Sequence, residues 1–121
     1  MGLDMYFEAR NKGEKEYQEI GYLRKVNAVH NFISMQHDVE NCKHVHLTER
    51  DIDLLKSRCK TVLADHSLAP TLLPTTEGFF FGSTEYDEYY FQNLQYTLDI
   101  IVQACKQAFA KGMEVAYYAW W

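Results

Sequence analysis

Apolar and polar residues alternate without a break over residues 3–10, LDMYFEAR. Leu3, Met5, Phe7 and Ala9 fall on one side, and Asp4, Tyr6, Glu8 and Arg10 on the other. A period of two marks a strand with one buried face, so a strand begins almost at the first residue. The charged run NKGEKE predicts a turn. YQEIGYLRK then predicts a second strand returning antiparallel to the first, with Gly21 at a bulge or a close backbone approach. From Val26 the period lengthens, and Val26, Val29, Phe32 and Ile33 form a helical stripe ending near Met35-Gln36. HDVENC is a polar connection, and KHVHL a short strand.

Thr48 followed by Asp51 has the spacing of a capping box and starts a second helix, with Ile52, Leu55, Cys59 and Val62 as its buried face. DHSLAPTLLPTT is broken twice by proline, which predicts a loop packed through Leu68, Leu72 and Leu73. Thr84 and Asp87 repeat the capping spacing ahead of a long helix over about residues 85–111. Its stripe is Tyr90, Leu94, Leu98, Ile101, Cys105 and Phe109, and Gly112 sits at its end. MEVAYYAWW closes the chain as a strand with Met113, Val115, Tyr117 and Ala119 on one face. Strands at both ends with helices between them predict one α+β domain over residues 1–121. Its antiparallel sheet includes the N- and C-terminal strands as neighbours, with about three helices packed on it.

Composition adds one anomaly. Aromatic residues make up 15% of the chain, and nine of them are tyrosines, which suit half-buried sheet faces and recognition surfaces alike. The net charge of −5 argues against a general binder of nucleic-acid backbones. The three cysteines are odd in number and lack CxxC spacing, and two of them fall on apolar helical positions, so a reducing, cytoplasmic setting is expected. No apolar run has the ~18 residues of a membrane span, and no signal-peptide pattern precedes the first strand.

Candidate chemistry gathers at two predicted helix starts. Tyr22, Arg24, Lys25, Asn27 and His30 surround the first, where the helix dipole favours anions and disfavours the two cations. A bound phosphate or carboxylate explains the cations there, as does pairing with Glu8, Glu19 or Glu85. Gly82, Ser83 and Thr84 precede the second helix. They offer hydroxyls and backbone N–H groups without the lysine and spacing of a phosphate loop, and a simple capped start uses the same residues. Tyr86, Asp87 and Tyr89 follow directly, and an aromatic ring beside an acid suits a base and its ribose. His44 and His46 share a strand face, but spacing supplies no third ligand, so neither metal nor cofactor is expected. There is no G-x-S-x-G elbow, and no catalytic residue is assigned. The final AYYAWW fits a buried strand or an exposed aromatic edge equally well.

The segments MGLDMY, EIGYLRKVNAVHNF and LLPTTEGFFFGSTEYDEYY, with the aromatic C-terminus, together resemble a family of small bacteriophage and prophage proteins. Ala119-Trp120 departs from that family's pattern, which has small hydroxyl residues before a final tryptophan. The resemblance implies a setting, an accessory anti-defence protein in the host cytoplasm, and no reaction. Three functions fit it. The first is a non-catalytic protein that sequesters a nucleotide-like or other anionic small molecule. Its expected site is Tyr22, Arg24, Lys25, Asn27, His30, Gly82, Ser83, Thr84, Tyr86 and Asp87, set in a homo-oligomer and anchored by the Phe79–Phe81 run. The others are an anti-CRISPR-like inhibitor that binds a host defence protein, and a hydrolase of a small signalling nucleotide.

Overall fold

The computed structural model describes residues 2–78 and 81–121, so the expected anchoring by Phe79 and Phe80 lies outside the described residues. The elements in chain order are β1 (Asp4–Arg10), β2 (Gln18–Arg24), α1 (Asn27–Gln36), β3 (His44–Leu47) and α2 (Glu49–Ala64). A 3-10 turn (His66–Leu68), α3 (Ala69–Leu72), α4 (Glu88–Tyr96), a π-helical segment (Thr97–Val102), α5 (Gln103–Ala110) and β4 (Glu114–Trp120) complete the chain. The fold is α+β. Its four strands are antiparallel in the order β2-β1-β4-β3, so the two terminal strands are central neighbours, as expected. Ala116, Tyr117 and Tyr118 therefore lie inside the sheet, paired on both sides, while Ala119 and Trp120 pair with β1 alone and Trp121 follows the strand.

The period-two pattern of β1 sorts its side chains as predicted. Leu3, Met5, Phe7 and Ala9 are fully buried under the helices, while Asp4, Tyr6, Glu8 and Arg10 lie half-buried on the open face. α2 begins with a complete capping box: Thr48 Oγ1 accepts from Asp51 N at 3.1 Å, and Asp51 Oδ2 accepts from Thr48 N at 2.8 Å. Ile52, Leu55, Cys59 and Val62 form its buried face. Burial pushes the thiols of Cys59 and Cys105 up to about 12, as befits small core hydrophobes. Among the described residues no helix is long and apolar enough to cross a membrane.

Two expectations are corrected. The segment after α2 is not all loop, because Asp65 caps a 3-10 turn through Ser67 N and α3 follows with a proline in its first turn. The last long helix starts at Glu88 and is capped by Asp87, whose Oδ1 accepts from Tyr90 N at 3.0 Å. Thr84 does not cap it, and its carbonyl instead accepts from Thr75 Oγ1 at 2.9 Å.

Gly21 fulfils both alternatives raised for it. The β1–β2 register runs Phe7↔Gly21 and then Glu8↔Glu19, so Ile20 is the extra residue of a bulge. Gly21 also faces the core, where a Cβ would lie 2.7 Å from Ile101 Cδ1 in the π-helical segment. The bare backbone lets that helix lie on β2. Gly21→Ala is expected to cost about 1–2 kcal/mol through overpacking, measured by urea unfolding. In an Ile101→Val background, which deletes the colliding methyl, the same change should cost clearly less. Strict additivity of the two would show that this contact is not the constraint.

Candidate functional site

The corner between β2 and α1 is built under strain. Lys25 adopts a left-handed backbone (φ 57°), unusual for a side-chain-bearing residue, and its N–H is held by Leu3 O at 2.7 Å. This turns the chain from strand to helix within two residues. Val26 stands at the N-cap position of α1. Among the described residues no side chain caps that helix, and its first turn carries no acid. Arg24 and Lys25 therefore sit immediately ahead of the positive end of a helix dipole.

Against this corner lie the described residues between Thr75 and Asp87, held by side chains rather than by strand pairing. Asn27 carries most of the attachment. Its Nδ2 donates to Ser83 O at 2.8 Å and Phe81 O at 3.1 Å, and its Oδ1 accepts from Thr76 N at 3.1 Å. Asn31 Nδ2 donates to Pro74 O at 3.0 Å, and Tyr90 OH donates to Leu73 O at 2.7 Å. Gly82 (φ +91°) passes so close to the corner that a Cβ would lie 3.0 Å from Lys25 Cβ and 3.2 Å from Lys25 O. Only glycine satisfies both the dihedral and the approach.

Between the corner and this segment lies a cavity of about 340 Å³. Of the residues expected at the site, Arg24, Lys25, Asn27, Gly82, Ser83 and Asp87 line it together. Asn27 contributes as a pin, since its carboxamide is spent on backbone groups. The other four lie elsewhere. Tyr22 is on the open sheet face, where its hydroxyl donates to Asp4 Oδ1 at 2.5 Å and its ionisation is pushed up to about 12 by that bond. Thr84 gives its carbonyl to Thr75. Tyr86 accepts from Thr75 N at 3.1 Å and packs edge-on against Tyr90 at 5.1 Å.

His30 points into the core. Its Nδ1 is hydrogen-bonded to Tyr117 OH at 2.7 Å, and its ring meets the edges of Phe81 and Trp121, each at 5.1 Å. Burial pushes its pKa down to about 4.

The cavity also takes in Thr75, Glu85 and Asn93, which sequence reasoning did not place there, and Tyr89, which it singled out beside Asp87 without including it in the expected site. Tyr89 and Asn93 are four apart on α4 and so share a helical face, a spacing visible in the sequence once Tyr89 is placed at a site. Nothing local marks Thr75. The two histidines of β3 are engaged singly, His44 Nε2 with Glu8 Oε1 at 2.7 Å and His46 Nε2 with Tyr17 OH at 2.8 Å. Among the described residues no group of three or more His, Cys, Asp or Glu side chains is placed to hold a metal. Compared with known proteins, the chain matches no family model, no curated protein and no solved structure.

Asn27→Asp replaces the donor of two bonds with an acceptor facing two carbonyl oxygens. A loss of about 2–4 kcal/mol is expected in urea unfolding, with faster proteolytic cutting between residues 74 and 86. Unchanged proteolysis would show that the segment is held without Asn27.

His30 sets a pH dependence. Its folded pKa lies below the ordinary 6.5, so from pH 6.5 down to about 4 the unfolded chain takes up a proton that the folded protein refuses. Stability from this source is complete above pH 6.5 and falls by roughly 2–3 kcal/mol towards pH 4.5. His30→Gln should flatten that part of the profile. A slope unaltered by the substitution would place its origin elsewhere.

Proposed function

We propose that this chain is a non-catalytic binding protein that captures a small anionic, nucleotide-like molecule in the cavity between the β2–α1 corner and the segment leading into α4. One observation carries the reading. Arg24, Lys25 and the uncapped N-terminus of α1 open onto the same cavity as Ser83, Asp87 and Tyr89, which lie more than fifty residues away in sequence. A helix N-terminus with cations beside it attracts phosphate. The Ser83 hydroxyl, which accepts from Glu85 N, keeps its proton for a ligand, and the exposed Tyr89 ring offers a stacking surface at the rim.

Among the described residues the lining contains no imidazole and no thiol, and the Ser83 hydroxyl accepts from Glu85 N at 3.1 Å. That chemistry suits holding a ligand better than transforming it. The resemblance to phage proteins supplies the setting of the proposal, in which the host loses a small signalling molecule to a stoichiometric trap.

The test is native mass spectrometry of the protein purified gently from a bacterial host, intact and then denatured. A small mass that leaves on denaturation is expected with the natural chain. Arg24→Ala should lose it, or hold it at least about tenfold more weakly, while still unfolding cooperatively, since the Arg24–Asp4 pair at 4.0 Å that it also removes is largely exposed. A variant that retains the mass fully would overturn the site. A retained host polypeptide in its place would mark the protein as an inhibitor, and conversion of the small molecule would mark it as a hydrolase.

A further inference from the structure

Among the described residues four charged side chains line the cavity, and their formal charges cancel. Arg24 and Lys25 come from the β2–α1 corner, Glu85 and Asp87 from the segment that enters α4. A site that gathered anions by charge alone would not include two carboxylates in its lining. All four side chains are exposed to solvent, which screens them, yet a chain of phosphates beside two carboxylates still meets repulsion at close range and is disfavoured there. Carboxylates are acceptors only, and the part of a ligand lying against them must bring N–H or O–H donors. Size narrows the choice further. The volume of about 340 Å³ is near the bottom of the range of ~300–1,000 Å³ for small-molecule sites, which favours one nucleoside unit over two.

Resting on the binding reading above, we infer that the site selects a nucleoside carrying a single phosphate. The phosphate lies at Arg24, Lys25 and the start of α1, and the sugar or base donors lie at Glu85 and Asp87. Glu85 and Asp87 are then specificity residues that reject polyphosphates, and Tyr89, which is 70% exposed, is the ring at the rim. Both acids can be neutralised without dismantling the fold. The turn at Ser83 uses the backbone N–H of Glu85 and not its carboxylate. Asparagine caps a helix about as well as aspartate, so the Asp87 bond to Tyr90 N survives Asp87→Asn.

The test is calorimetric titration with the four common nucleoside 5′-monophosphates, their 3′,5′-cyclic forms, the matching triphosphates and inorganic phosphate. At least one nucleoside with a single phosphate should bind at least about tenfold more tightly than its triphosphate and than inorganic phosphate. The preference between 5′ and cyclic forms then tells whether the recognised group is a monoester or a diester. Glu85→Gln with Asp87→Asn should weaken the monophosphate and strengthen the triphosphate. Glu85→Gln alone should move both in the same directions, which keeps the test valid if the double variant is unstable. A triphosphate that binds as tightly as the monophosphate, or a ratio unmoved by the variants, overturns this inference and leaves the cavity a binding site. If no probe binds at millimolar concentration, the binding reading falls with it.

Discussion

The site depends on one buried carboxamide. The described residues between Leu73 and Asp87 run past α1 without pairing as a strand, so their peptide groups need partners from side chains or water. Asn27 supplies three bonds to them, from both ends of its amide, and Asn31 one turn along α1 supplies a fourth. α1 thus acts as a rack on which an irregular segment is hung at a set distance. That distance leaves the cavity open, with Gly82 pressed against Lys25 at one end and Tyr90 tied to Leu73 at the other. A buried amide with all its bonds made is rigid and specific, whereas one left half-satisfied would be among the costliest defects in the fold.

The sheet shows the same economy. Where β2 meets the π-helical segment, the bulge at Ile20 and the bare Gly21 let a thick helix settle onto a strand. In that segment Thr97 Oγ1 donates to Asn93 O at 2.8 Å, so a buried hydroxyl is satisfied within its own helix. On the opposite side of the sheet, register brings Tyr22, Tyr6, Tyr118 and His44 into one row across all four strands, with adjacent rings 4.9–6.1 Å apart. Cross-strand pairs flank it, Arg10 with Glu114 at 2.9 Å and His44 with Glu8 at 2.7 Å. Much of the aromatic excess serves this half-buried outer face. A second share, Tyr117, Phe81 and Trp121, encloses His30 in the core. Neither use requires a ligand, and among the described aromatics only Tyr89 and Tyr90 line the cavity.

Several parts of the chain were legible before folding because they rest on near neighbours. The alternation of β1, the capping box at Thr48, the stripe of α2 and the glycine at Gly21 each depend on residues within a few positions. Periods of two and 3.6 are properties of the local backbone. The candidate cavity was legible only in part: the two cations do stand at the start of α1, but Gly82 and Ser83 precede a helix that begins only at Glu88.

What the sequence by itself determined, then, is the four strands, the helices α1 and α2 with their buried faces, and the cationic start of α1. Tertiary structure alone decided the rest. It chose Asp87 over Thr84 as the cap of α4 because the Thr84 carbonyl was claimed by Thr75 from across the loop. It sent His30 to Tyr117 in the core and Tyr22 to Asp4 on the open face, and it brought Glu85 and Asn93 to a cavity whose other wall is Arg24 and Lys25. A side chain with several possible hydrogen-bond partners is committed by whichever partner the packed chain delivers, and those partners lie anywhere from nine to eighty-seven residues away.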